Sequence, residues 1–291
     1  MILPGSHSPA TPSKIPFFLR AAEGTRFCLF HPPAGLCRGA LVYLHPFAEE
    51  MNKTRRMAAL QSRALAAQGV GVLQIDLLGC GDSSGDFGDA RWELWRDDVA
   101  LAMRWLRERL GREVGLWGLR LGALLAADCA RSDAEGGAMP AADRLLMWHP
   151  VHTGGACLTQ FLRMRLAADM LDKQHAARNS TAALRAALRA GAAQEVAGYE
   201  LTPALADALD GLELAVLRPS CPVHWLDVAV SADRPMSPAS NKIVGAWREQ
   251  GVLVDAQVVA GPAFWGTAEI AECPALLEAT GAALAGAIDV V

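Results

Sequence analysis

The residues with most chemistry in them stand where an apolar run meets a glycine-framed turn. Val114 to Trp117 leads into Gly118-Leu119-Arg120-Leu121-Gly122, and a helix-forming run, Ala123 to Ala127, follows. Strand, tight turn and helix in that order lift the central residue of a Gly-x-X-x-Gly segment to the top of a sheet and to a helix N-terminus, where a nucleophilic Ser, Cys or Asp would sit. Glycine suits the two framing positions because strand and helix pass too closely there for side chains. Here the central residue is Arg120. Its guanidinium stays protonated at any working pH, so it is not that nucleophile. Two readings of Arg120 stand side by side. Helix N-termini favour anions, and Arg adds a bidentate donor for carboxylate or phosphate, so Arg120 binds an anionic substrate. Alternatively it pairs with a buried acid such as Asp76.

Other reactive side chains lie near predicted strand ends. His45 follows the apolar run Ala40 to Leu44; it is a catalytic base if a carboxylate or carbonyl orients it, and otherwise braces its loop. Glu49, Glu50, Asn52, Arg55 and Arg56 crowd the next helix start, either as a solvated face or as ligand contacts, with Glu50, Asn52 and Arg55 the candidates. In the loop LLGCGDSSGDFGD, Asp82 and Ser83 suit turn N–H groups, and Ser83 is also a candidate ligand contact. Cys80 is the one cysteine placed to be considered as a thiolate, the blander reading being a bystander thiol. His149 and His152 close the run Arg144 to Trp148. They read as core or loop histidines, as an acid/base group, or as a frame for an anion site with Arg120. Their His-x-x-His spacing has no evident third ligand, so no metal is predicted, nor any other cofactor.

These positions need a scaffold, and the hydrophobic pattern supplies one. Phe17 to Leu19 and Arg26 to Phe30 flank Glu23-Gly24-Thr25 as a β-hairpin. Ala40–Leu44 and Val114–Trp117 are apolar runs of buried-strand length, and Val70–Ile75, Arg144–Trp148, Val223–Val230 and Val252–Val259 read as further strands. Helices are predicted over Lys53–Gln68, over 90–110 with Trp92, Trp95, Val99, Met103 and Leu106 on one stripe, from Ser237-Pro238 to Gln250, and from about Thr267 with an interruption at Pro274. Strands alternating with helices imply a mostly parallel, doubly wound α/β sheet. The alternation stops after His152. Residues 156–211 read as a helical cap without a strand, 17–155 and 212–291 as the core, and 1–16 as a loose lead-in.

Composition narrows the function. With 291 residues, 52% hydrophobic, the chain can bury a large core. A net charge of −4 and no basic tract exclude nucleic acid as an expected partner. Seven scattered cysteines suit reduced thiols in the cytoplasm, and neither a secretory leader nor a membrane-spanning run is predicted.

Taken in order, the motifs resemble the α/β-hydrolases. ALVYLHPF resembles their strand and oxyanion loop, DLLGCGDSSG the Asp-x-x-Gly-x-Gly-x-Ser loop, and VGLWGLRLGALLA the nucleophile elbow. HPFAEEMNKTRR, WGLRLGALLA and GPAFWGTAEI together resemble a narrower group, the second of the two hydrolase types encoded with exosortase A systems in exopolysaccharide-producing Gram-negative bacteria. The resemblance covers roughly residues 15 to 285. It implies a hydrolase or acyl-transferase acting on an ester-like intermediate of exopolysaccharide or surface-polymer production. It also places Asp233 at the position of the family's acid and Phe264-Trp265 at that of its histidine, with Trp265 as an apolar wall. The last histidine of the chain is His224, so the order nucleophile, acid, histidine is not met. The residues therefore predict little or no turnover of short p-nitrophenyl esters and resistance to fluorophosphonate probes. The alternative function is a non-catalytic α/β-hydrolase fold that binds an anionic ligand or a partner protein.

Overall fold

The computed structural model describes residues 13–131, 139–171 and 180–288. Its centre is an eight-stranded sheet made of β1 (Ile15–Arg20), β2 (Thr25–His31), β3 (Gly39–Leu44), β4 (Val70–Ile75), β5 (Gly115–Leu119), β6 (Leu145–Trp148), β9 (Val223–Ala229) and β10 (Val254–Ala260). The order across the sheet is β1-β2-β4-β3-β5-β6-β9-β10. β2 pairs antiparallel with β1 and with β4; every other pairing is parallel. β5 and β6 are buried along their whole length, which is why the central strands read as continuous apolar runs rather than as alternating ones.

Helices cover both faces. On one face, α2 (Trp92–Leu110) and α3 (Leu121–Cys129) share a core with β3 and β5, and the α2 stripe Trp92, Trp95, Val99, Met103 and Leu106 is buried as its spacing predicts. On the other, α1 (Glu49–Ala67) and α8 (Pro274–Ile288) enclose Trp117, Trp148 and Phe264. A buried ion pair, Arg26 Nε to Asp98 Oδ1 at 2.7 Å, ties β2 to α2, and Asp98 also accepts the Leu78 N–H at 2.8 Å. α7 (Pro238–Glu249) lies between β9 and β10 in sequence, with Ser237 as its N-cap.

Two elements differ from the sequence expectation. Between β6 and β9 the chain inserts α4 (Gly154–Leu171), α5 (Thr181–Arg189) and α6 (Pro203–Asp210), but also a hairpin, β7 (Gln194–Val196) and β8 (Tyr199–Leu201), separate from the main sheet. Its two-residue turn, Ala197-Gly198, has φ of 50° and 83°. Both signs match a tight hairpin turn, which Asn-Gly announces and Ala-Gly does not. The last helix starts at Pro274 rather than near Thr267. Proline disfavours helical backbone at the residue before it, so no helix runs from Thr267 through this point.

Candidate functional site

The elbow between β5 and α3 holds Arg120 at φ 56°, ψ −116°. That is a strained backbone for a residue with a side chain. The turn is locked from several directions: the Arg120 N–H donates to Trp148 O at 3.0 Å, and its carbonyl accepts from Ala123 N at 3.1 Å and from Val151 N at 3.4 Å. A Cβ on Gly118 would overlap the backbone of Gly122 and Ala123, and one on Gly122 would overlap the carbonyls of Leu44 and His45. Close packing of strand on helix is thus the reason for both glycines.

The guanidinium of Arg120 turns toward α1 and α4. Nε and Nη2 both donate to Glu50 Oε1 at 3.3 Å, and Nη2 donates to Gln160 Oε1 at 3.0 Å. Its Cζ lies 5.2 Å from the centre of the Trp265 ring, a cation–π contact. Nη1 has no hydrogen-bond partner among the described residues. The acid that pairs with Arg120 is therefore Glu50, not Asp76. Burial raises the Glu50 carboxyl, with the Arg120 charge and its hydrogen bonds acting against that rise. Glu50 Oε2 is buried with no hydrogen-bond partner.

A cavity of about 270 Å³ opens beside the elbow, lined by Arg120, His149, His152, Cys157, Gln160, Asp227, Ser237 and Ser240. It lies at the C-terminal ends of β5 and β6, where open parallel sheets bind ligands. His149, at φ 41°, accepts the Val228 N–H on Nδ1 at 3.1 Å and stacks on Trp265 with ring centres 4.6 Å apart. Burial pushes its pKa down to about 4, against the pull of Asp227 and with help from Arg120. The ring is neutral near pH 7, with its proton on Nε2. Asp227 Oδ1 sits 3.6 Å from His149 Nδ1 and accepts from Trp225 Nε1 at 3.0 Å. His152 places Nε2 2.9 Å from Ser240 Oγ, and Ser240 Oγ in turn accepts from the Ser237 hydroxyl at 2.9 Å. Burial also lowers the His152 pKa.

The fold thus gathers Arg120, Glu50, His149, His152 and Trp265, and disperses the other expected residues. His45 is buried with Nδ1 bonded to Pro46 O at 2.8 Å and Nε2 accepting the Leu77 N–H at 3.4 Å. Both ring nitrogens are engaged by the main chain, so it braces the loop and has none left to take a substrate proton. The Asn52 amide donates to Tyr199 Oη at 3.2 Å. Arg55 pairs with Asp76 at 3.0 Å. Ser83 donates to Asp76 O at 2.5 Å and accepts from Phe27 N at 2.9 Å, which makes it a turn brace. The Cys80 and Cys157 thiols are both raised by burial, Cys157 to about 12, so neither supplies a thiolate near neutral pH. Asp233 is exposed in the turn after β9, with its N–H on Ser231 Oγ at 3.3 Å. No group of three metal-ligating side chains occurs among the described residues.

The carboxylate that does reach the cavity is Asp227, which the sequence reading missed. Its signal was present: an acid inside the apolar run VHWLDVA. Ser240 was hidden as the third residue of a helix, and Gln160 lay in a segment whose placement against Arg120 no local pattern announces.

Sheet order, elbow and inserted helices define an α/β-hydrolase fold. Est1E from Butyrivibrio proteoclasticus is similar with a TM-score of 0.64, at 12% identity over 94% of this chain and 98% of that one. A thermophilic esterase from Thermogutta terrifontis is similar with a TM-score of 0.57, at 15% identity over 97% and 94% of the two chains. An alpha-beta serine hydrolase homologue from Coxiella burnetii has a TM-score of 0.50, at 12% identity over 86% and 89%. No family model matches the sequence, and no curated protein does. Among the described residues no helix is long and apolar enough to cross a membrane.

Proposed function

We propose that this chain is a hydrolase or acyl-transferase acting on an ester-like intermediate of exopolysaccharide or exosortase-linked surface-polymer production in the cytoplasm, with a degenerate triad. The observation that carries the enzymatic part is the cavity beside the elbow, which joins neutral imidazoles, a hydroxyl hydrogen-bonded to one of them, and a carboxylate. A hydroxyl within hydrogen-bond reach of a neutral imidazole is the nucleophile and base arrangement that acyl transfer needs, and the carboxylate adds negative charge beside it. The polymer assignment rests on the sequence resemblance carried by HPFAEEMNKTRR, WGLRLGALLA and GPAFWGTAEI. Support for an ester substrate comes also from the fold shared with esterases. The test is incubation of the purified protein with O-acylated mono- and oligosaccharides, read by mass spectrometry for acyl loss or migration. Release above the buffer rate is expected; an unchanged acylation pattern across the series removes the enzymatic reading.

A second reading, a non-catalytic binder, is favoured by one observation: the nucleophile position carries a guanidinium held by Glu50, Gln160 and Trp265. On this reading Glu50 already offsets the Arg120 charge, and Asp227 adds a second carboxylate. A neutral carbonyl or hydroxyl ligand on Nη1 then fits better than the anion expected from the sequence. Calorimetric titration with sugar amides and with carboxylates separates the two ligand types; tight carboxylate binding goes against the neutral-ligand version.

A further inference from the structure

The enzymatic reading leaves open which group attacks, and the cavity holds a hydroxyl already prepared for it. Ser240 lies at the third position of α7, on the far side of the fold's usual nucleophile order, and is buried against His152. The hydrogen-bond chain leaves its proton a route to a base. The Ser237 Oγ accepts the Ser240 N–H at 3.0 Å as helix cap and gives its own hydroxyl hydrogen to Ser240 Oγ at 2.9 Å. The hydroxyl hydrogen of Ser240 is therefore free to point at His152 Nε2, 2.9 Å away. That requires the tautomer with its proton on Nδ1, which is a neutral imidazole. In that tautomer nucleophile and base stand within hydrogen-bond reach for the proton transfer that attack requires.

We infer that Ser240 and His152 form the acyl-transfer pair of this protein, displaced from the elbow to the N-terminus of α7, with Arg120 serving the developing oxyanion rather than attacking. The inference rests on the enzymatic reading above and names the groups that perform it. Ser240 Oγ bonds to the ester carbonyl carbon while its proton passes to His152 Nε2. The carbonyl electron pair moves to oxygen, where Arg120, which lines the same cavity, supplies N–H donors. Collapse breaks the bond to the alcohol oxygen, which takes the proton from His152 and leaves. Water, for hydrolysis, or a second alcohol, for transfer, then attacks the acyl-serine. Its proton goes to His152, the acyl–Oγ bond breaks, and Oγ recovers a proton. Burial and the Arg120 charge oppose the transient imidazolium, and the Asp227 charge favours it. At about 270 Å³ the cavity lies near the lower end of the roughly 300–1,000 Å³ range of small-molecule pockets, room for a small ester.

The test uses the full chain with p-nitrophenyl acetate and a fluorophosphonate probe, followed by peptide mass mapping. The expected result is one phosphonyl adduct, on Ser240, reversing the inertness predicted from the missing elbow nucleophile. Ser240→Ala should lower turnover at least ~10³-fold while unfolding at the wild-type temperature. His152→Ala should lower it by about 10²–10⁴ and recover in part with added imidazole. In the wild type, kcat/KM should fall on the acid side at a pH below the ordinary histidine value of about 6.5. A purely structural Ser240–His152 bond would move neither the adduct nor the pH profile. Turnover with an adduct at another residue, or turnover unchanged in Ser240→Ala, overturns Ser240 and keeps the ester chemistry. Absence of both adduct and turnover overturns Ser240, and the acylated-saccharide assay then decides the ester chemistry itself.

Discussion

Removing the Arg120 side chain tests the elbow most directly. In Arg120→Ala the backbone strain is kept, since alanine is no freer than arginine at φ 56°, and what changes is the partner of Glu50. That carboxylate, with 18% of its side chain exposed, receives both of its hydrogen bonds from Arg120 on Oε1 and none on Oε2. Breaking a buried pair by removing one partner costs about 3–5 kcal/mol. The 3.3 Å bonds and partial exposure put this pair near 3 kcal/mol. Thermal unfolding should fall by about 6 °C or more, at ~2 °C per kcal/mol for a chain of this size. The loss should also depend on pH. Burial raises the Glu50 pKa and the Arg120 charge opposes the rise, so without Arg120 it climbs further. An acid whose folded pKa lies above its unfolded value destabilises the fold at high pH, and the penalty fades as pH falls through the folded pKa. The variant should therefore recover much of its deficit between pH 7 and pH 5. Arg120→Ala with Glu50→Gln should recover most of it at both pH values, because the amide needs no counter-charge. Unfolding measured by circular dichroism at the two pH values decides. A deficit under about 1 kcal/mol at pH 7, or one unchanged at pH 5, would refute the pairing argument.

Three further outcomes follow from other contacts. Asp98→Ala strands the buried Arg26 and orphans the Leu78 N–H, and should cost about 3–5 kcal/mol in urea unfolding; a cost below 1 kcal/mol would show the pair to be replaceable by water. His149 takes up its second proton only near pH 4, so below about 6.5 the unfolded chain binds a proton that the native ring does not. Stability should drop as pH falls from about 6.5 to 4 and the drop should shrink in His149→Phe; an NMR titration of the ring placing its pKa above 6 would contradict this. Ala197→Gly relieves a left-handed residue at φ 50° in the β7–β8 turn and should stabilise by about 1 kcal/mol, whereas a lower melting temperature would mean that this turn is not strained.

The local sequence determined the elements with periodic cores and framed turns. Val70–Ile75 is a strand because all its residues but Gln74 suit burial on both faces of a sheet, and α2 is a helix because its tryptophans and aliphatics recur on one stripe. The Gly118–Gly122 spacing announced the elbow for a reason of contact: a Cβ at either end would strike backbone. The partners were decided only by tertiary structure. Glu50 meets Arg120 across 70 residues, and His152 meets Ser240 across 88. Neither pairing leaves a periodic trace, because a hydrogen bond constrains two side chains and not the runs around them. Asp227 shows the boundary between the two kinds of information. An acid in a buried strand signals from the sequence that a partner must exist, since an unpaired buried charge is too costly. Only the register of β9 against β6, with Leu226 opposite Trp148, sets that acid beside the cavity and within 3.6 Å of His149.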